Sequence, residues 1–311
     1  MAKAARRGAH AASRPSKSTS TSAGRGTSKP ANKPVWLQVE ERDARKVGNR
    51  ARGFIRRPRR RLAVVYDTDG PHVRLGILWF AAEMAAVALG VRGLTVLFGI
   101  TAAVAALQTA QCWRLARRRV HREAAGAGAA LLVVGAAFGT GFLGVALIAL
   151  GGGAVLVANY MAASDAKIVP LETAGLLVRC SLFVGLAAAS VVECARFTVG
   201  GVVGLLILAA AYEVGDYLIG SGASNALEGP IAGATAILVM TFAVTAVGVE
   251  PFTFPQSFAL GAMAAVLCPI GQLVASAILP SAAAPAAAMR RLDSLLVLAP
   301  VWALVVGRLV T

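Results

Sequence analysis

Histidine is nearly missing from this chain: His10, His72 and His121 are the only three in 311 residues. All three fall outside the long apolar stretches, so a His-based metal centre or a Ser/His triad inside those stretches has no material. Cysteine is almost as sparse. Cys112, Cys180, Cys194 and Cys268 lie far apart, in or beside apolar segments, with no C-x-x-C pair, and read as small buried hydrophobes. No apolar h-region follows the early positive charges, so the N-terminus does not read as a signal peptide. Acidic residues are few: 15 Asp and Glu stand against 31 Lys and Arg, a formal net charge of +16.

Apolar residues, in contrast, are in excess. They make up 57% of the chain, whose mean hydropathy is +0.68, above the level of an ordinary soluble domain. The fold class expected is therefore all-α: a polytopic integral membrane protein. The positive charge resolves by position, since residues 1–122 hold 25 of the Lys and Arg and 6 of the Asp and Glu, and the remainder hold 6 and 9. A basic excess confined to one tail and one loop beside apolar spans fits attraction to anionic lipid and orientation by positive charge. It makes nucleic acid the second choice as a partner.

Residues 1–34 are Ala, Ser, Thr, Gly, Lys, Arg and Pro with little to bury, the composition of a disordered segment. Between Val35 and Ile55 apolar and charged residues alternate as an interfacial helix requires, and Arg56, Arg57, Arg59, Arg60 and Arg61 follow as a polybasic cluster. A solvated tail that only fixes topology is the competing reading. The basic tail thus occupies 1–72. From 73 to 311 apolar runs of about 20 residues, each long enough to cross a bilayer, give eight or nine spans. They lie near 75–91, 94–113, 124–139, 141–162, 171–191, 198–219, 230–249, 256–279 and 293–309. The runs at 75 and 124 are the shortest. Gly151, Gly152 and Gly153, and the Gly200/Gly204 pair, predict close helix contact. The tail and the loop holding Arg114, Arg117, Arg118, Arg119 and Arg122 are two spans apart and are both expected on the cytoplasmic side of the plasma membrane. Counting on, the segments near 163–170, 220–229 and 280–292 face the same way.

Ionisable groups within spans are costly and draw a functional hypothesis by default. They are Glu83, Arg179, Glu193, Glu213, Asp216 and Asp293. Glu83 has no evident partner. Glu193 and Arg196, three apart at a span end, read as a surface pair of little energetic worth. Glu213 and Asp216 share a helical face by their spacing. Together they are able to hold Mg²⁺ with substrate phosphates; alternatively Asp216 is wet at the interface and Glu213 faces Arg179 or another basic group.

Three stretches carry a likeness to a known family: Glu213-Val-Gly-Asp-Tyr-Leu-Ile-Gly220; Leu227-Glu-Gly-Pro-Ile-Ala-Gly233; and Gly271-Gln-Leu-Val-Ala-Ser276 leading to Arg290-Arg-Leu-Asp-Ser-Leu-Leu296. In this order and spacing they resemble the phosphatidate cytidylyltransferase (CDP-diacylglycerol synthase) family over about 73–311. The resemblance implies an all-helical membrane enzyme that joins CTP to phosphatidic acid with divalent metal. It implies catalytic roles for Asp293 and Glu213, substrate binding by Arg290, Arg291, Ser276, Tyr217 and Glu228, and a metal set of Glu213, Asp216 and Asp293 with Mg²⁺ as cofactor. Several family positions differ. Glu213 stands for an Asp, Asp216 for a small residue and Leu227 for a Trp. In the G-D-L-x-E-S signature Gln272 and Ala275 replace both carboxylates. The Leu279–Met289 segment is short, rich in Ala and Pro, and uncharged, and Arg290 takes the first Asp position of D-R-x-D.

Joining two polyanions relies on carboxylate-held metal and on basic residues around the phosphates. Losing several of those together predicts a catalytically impaired or repurposed family member, whose partners are anionic lipid head groups at the tail and at Arg290 and Arg291. An active cytidylyltransferase with a rearranged site, taking CTP, is the alternative. An unrelated transporter or scaffold is the second, and a homodimer is compatible with all three.

Overall fold

The computed structural model describes residues 72–221, 225, 227–248 and 252–310. The chain divides into a unit Met1–Ile55 and a unit Arg56–Thr311, and the described residues belong to the second. The expected interfacial helix near 35–55 and the polybasic cluster lie outside them.

Those residues form helices and turns with no strand. In chain order the helices are α1 (His72–Ala88), α2 (Gly90–Leu115), α3 (Arg122–Phe138), α4 (Thr140–Ser164), α5 (Pro170–Phe197), α6 (Val199–Gly220), α7 (Glu228–Val247), α8 (Phe254–Ile278), the single turn α9 (Ala287–Arg290) and α10 (Leu295–Val310). Each expected apolar run is a helix. Six of them, α2, α4, α5, α6, α7 and α8, are long and apolar enough to cross a membrane. The chain is thus built as a helical membrane protein. With 17, 17 and 16 residues, α1, α3 and α10 are roughly 25 Å long at 1.5 Å per residue, short of a ~30 Å hydrocarbon core.

Breakers set the helix ends. Pro170 begins α5, where its missing N–H costs nothing. Gly139 joins α3 to α4 at φ 125°, a value side chains with a Cβ rarely adopt. The Arg196 guanidinium closes over that turn by donating to the Ala137 carbonyl at 2.6 Å. His121 caps α3 by accepting from the Ala124 N–H at 3.2 Å. At the same end, the loop after α2 is tied to the segment after α4, with Arg119 paired to Asp165 at 2.8 Å and Arg118 paired to Glu172.

Helix α5 is the hub, packed against α2, α3, α4, α6 and α10, and most of its residues are buried or half-buried. Its inner face is Ala- and Gly-rich, which lets α3 approach until a Cβ on Gly185 would lie 3.0 Å from the Ala129 carbonyl. The second group is α6, α7 and α8, with α10 set between α5 and α8. Here Gly215 and Gly233 meet backbone to backbone, the close approach small residues permit in lipid. Gly151, Gly152 and Gly153 do not serve this purpose: a Cβ on any of them would meet open space. Trp302 of α10 is enclosed and donates its indole N–H to the Gly201 carbonyl at 2.9 Å. Trp302→Phe keeps most of the packing and removes only the indole's hydrogen bond, so thermal unfolding in detergent should show a loss of about 1 kcal/mol.

Two expectations are corrected by this packing. Glu193 is only 5% exposed, so it is not half of a surface pair, and Arg196 spends its guanidinium on the Ala137 carbonyl. Arg179 does not face Glu213. It lies over the Trp113 ring, 5.1 Å from its centroid, and donates to the Ala277 carbonyl. The four cysteines are free and buried, as small apolar side chains.

Candidate functional site

The second group of helices and α1 enclose a cavity of about 1350 Å³. Its walls are apolar. Leu75 and Leu78 of α1, Val214 and Leu218 of α6 and Val239 of α7 line it, and all five are exposed. Its charged residues come from three parts of the chain: Glu83, then Glu213 and Asp216, then Arg290, Arg291 and Asp293.

Each carboxylate is set by local structure. Glu213 and Asp216, three apart on α6, share one face of that helix, and both reach the cavity. Glu213 Oε1 accepts the Ser294 hydroxyl proton at 2.9 Å. Asp216 is 4% exposed and its Oδ2 accepts from Gln272 Nε2 at 2.8 Å; Gln272 Oε1 in turn accepts the Tyr212 hydroxyl proton at 2.9 Å. The interfacial, water-exposed position expected for Asp216 is therefore replaced by a buried chain of neutral donors. Asp293, 7% exposed, faces Arg290 across 3.8 Å. Arg290 also donates to the Ala282 carbonyl, which pins the Ala- and Pro-rich strap over α9. Glu83, 5% exposed, lies one turn after Trp79 on α1 and lines the same cavity.

One close contact fixes the geometry. Gly271 of α8 lies against the turn before α10, where a Cβ would sit 2.3 Å from the Asp293 carbonyl oxygen and 3.1 Å from that of Ser294. This brings Gln272 alongside Asp293 and Ser294, and so places three distant sequence stretches around one space.

Of the residues singled out in the sequence, the cavity lining includes Glu213, Asp216, Tyr217, Arg290, Arg291 and Asp293; Ser276 and Glu228 are not part of it. Ser276 is buried one turn beyond Gln272, and Glu228 is exposed at the start of α7. Glu83 and Gln272, also named in the sequence, line the cavity as well, and Tyr212 and Ser294 are the additions, as hydrogen-bond partners of Gln272 and Glu213. Glu83 carried a signal, a lone carboxylate in an apolar run, but the charged residues that share its cavity are more than a hundred residues away. Gln272 read as a loss; it is a hydrogen-bond donor in place.

Among the described residues no three His, Cys, Asp or Glu form a group able to hold a metal ion. The donor set of Glu213, Asp216 and Asp293 is already matched by a hydroxyl, an amide and a guanidinium. Such partners suit a hydrogen-bonded cluster and do not fit a Mg²⁺ shell, which needs carboxylate oxygens converging at about 2.0–2.1 Å. No family model matches the chain, and no curated protein matches it.

Proposed function

We propose that this chain is a membrane-embedded phospholipid-binding protein, a catalytically impaired or repurposed relative of the phosphatidate cytidylyltransferases. The observation that carries the reading is the cavity. Its volume exceeds the ~300–1,000 Å³ usual for small-molecule sites, its walls are apolar and exposed, and one end is charged. A phospholipid has that division: acyl chains along Leu78, Val214, Leu218 and Val239, and a phosphate at the guanidinium end. Arg291 is the phosphate contact, since Arg290 is engaged with Asp293 and Ala282.

The likeness in motif order supports common descent with the cytidylyltransferases, and the neutral partners of Glu213 and Asp216 support loss of their chemistry. With Gln272 where the family has a carboxylate, Asp216 is bound by an amide instead of sharing a cation. Mg²⁺ and CTP accordingly have no place in this reading. In the plasma membrane all nine apolar helices cross, the three short ones by locally thinning the bilayer or by snorkelling of flanking residues. The N-terminus is cytoplasmic. The positive charges support this, as do the ion pairs that tie the basic loop after α2 to the segment after α4 at one end of the bundle.

The test is retention of phospholipid by the purified full-length protein, read by native mass spectrometry, together with a turnover assay. Bound phospholipid is expected in the wild type. In Arg291→Ala its affinity should fall at least about tenfold, the worth of one charge-assisted hydrogen bond. Conversion of CTP and phosphatidic acid at a rate abolished by Asp293→Ala would overturn the proposal in favour of an active enzyme. Absence of any retained lipid, with the fold intact by thermal unfolding, would overturn it in favour of a transporter or scaffold.

A further inference from the structure

The stretch that carries Arg290 and Arg291 to the cavity has little regular structure of its own. From Leu279, just past the end of α8, to Ala286 it is built of Leu, Pro, Ser and Ala without a charge, and α9 is one turn of four residues. The first N–H groups of any helix lack intrahelical partners, and Ala286, at the cap of α9, supplies no side-chain acceptor for them. The acceptor comes from another helix. Gln108 of α2, 180 residues earlier in the chain, takes the Ala288 N–H on its Oε1 at 2.9 Å. Its neighbours on α2 hold the rest of the stretch: the Cys112 thiol, one turn on, donates to the Pro285 carbonyl at 3.7 Å, and the Trp113 indole donates to the Ile278 carbonyl at 3.0 Å.

The link runs on into the site. The Ala288 carbonyl accepts the Arg291 N–H at 3.2 Å, so the residue that Gln108 holds by its N–H holds Arg291 by its carbonyl. Ala288 and Arg291 line the large cavity, whereas no residue of α2 does. Gln108 therefore reaches the cavity only through what it holds. It also lies in a helix long and apolar enough to cross a membrane, where an amide is costly unless its hydrogen bonds are made; here its oxygen is spent on α9.

We infer that Gln108 is a positioning residue for the phosphate end of the cavity: by fixing the Ala288 N–H it sets where Arg291 presents its guanidinium. This rests on the lipid-binding reading above, in which Arg291 is the phosphate contact. It adds to that site a residue from a helix that contributes none of the lining and none of the three motif stretches.

The experiment measures binding of a short-chain phosphatidic acid to the full-length protein in detergent, with thermal unfolding as the check on the fold. Gln108→Met keeps the length of the side chain and removes the acceptor, and its affinity should fall about fivefold, the worth of one neutral hydrogen bond. Gln108→Glu keeps an acceptor at the same reach and should restore most of that loss. Gln108→Met combined with Arg291→Ala should bind no more weakly than Arg291→Ala alone, because a residue that acts through Arg291 has nothing left to act on. An additive loss in the double variant overturns the inference and leaves the lipid-binding reading standing, and so does wild-type affinity in a folded Gln108→Met. No binding by the wild-type protein overturns both. If Gln108→Met does not fold, Gln108→Asn, which draws the amide back by one methylene, takes its place in the same comparisons and is judged by the same outcomes.

Discussion

Gly271→Ala should unfold the region around the polar end of the cavity, with a stability loss at or beyond the top of the 1–3 kcal/mol usual for an overpacked core. The reason is what the new methyl would meet. At 2.3 Å and 3.1 Å its neighbours are the Asp293 and Ser294 carbonyl oxygens, backbone atoms that cannot rotate away as a side-chain tip would. Relief requires α8 and the turn before α10 to separate. That in turn draws Ser294 from Glu213 and Asp293 from Arg290. Thermal unfolding in detergent measures the loss, and phospholipid retention should fall with it. Gly151→Ala on α4 is the internal comparison, because a Cβ there meets nothing within 4 Å. That change should be neutral or stabilising by up to about 1 kcal/mol, the helix-propensity gain of Ala over Gly. If both substitutions have the same effect, the close approach of α8 to the turn is not what holds the site.

Gln272→Glu is expected to be the more informative change, because it replaces one atom group and leaves the shape. It puts a carboxylate against Asp216, removes the amide donor at 2.8 Å, and leaves the Tyr212 hydroxyl still able to donate. Losing a buried hydrogen bond to a carboxylate in this way costs about 1.5–3 kcal/mol. The cost should deepen as the pH rises. In acidic buffer the introduced carboxyl keeps its proton and still donates to Asp216; in alkaline buffer two like charges are forced together. Divalent cation supplies a second check. If Mg²⁺ restores much of the lost stability to Gln272→Glu and does nothing for the wild type, the neutral amide is what keeps a cation out of this cluster. A variant as stable as the wild type at every pH would show that the hydrogen-bonded chain through Gln272 does not matter to the fold.

The helices were readable from sequence because they rest on a single strong signal. Apolar runs bounded by Gly, Pro and charge place nine helices within a few residues of where they occur, even the short α1 and α3. How many of them cross a membrane is less legible, since 16 or 17 residues falls near the limit that bilayer thickness sets. The packing was not legible at all in one respect: Gly151, Gly152 and Gly153 are the most conspicuous glycines in the chain and touch nothing, whereas the isolated Gly215, Gly233 and Gly271 carry the close contacts. A glycine's neighbours depend on which way its helix faces, and a run of uniformly apolar residues gives little indication of that.

For the site, the stretches singled out in the sequence include both α6 and the turn before α10, which the Glu213–Ser294 hydrogen bond brings together. They could not supply α1, because Glu83 belongs to none of the motifs and proximity across more than a hundred residues leaves no local trace. Motif comparison also undervalued Gln272. Judged as a missing acid, that residue is a defect; judged by its partners it satisfies both Tyr212 and Asp216 in a place where an unpaired polar group would be expensive.

The exposure of the cavity wall bears on how a lipid ligand is counted. Leu75, Leu78, Val214, Leu218 and Val239 belong to the lining and are exposed. A lipid that enters there from the bilayer comes from a two-dimensional solution in which it is already concentrated and already oriented, head toward one leaflet. Occupancy then follows mole fraction in that leaflet and not molarity in water. Much of the orientational entropy of docking has been surrendered before the encounter. Weak intrinsic affinity suffices to keep such a site filled by an abundant bilayer component, and a change in membrane composition would register on it directly.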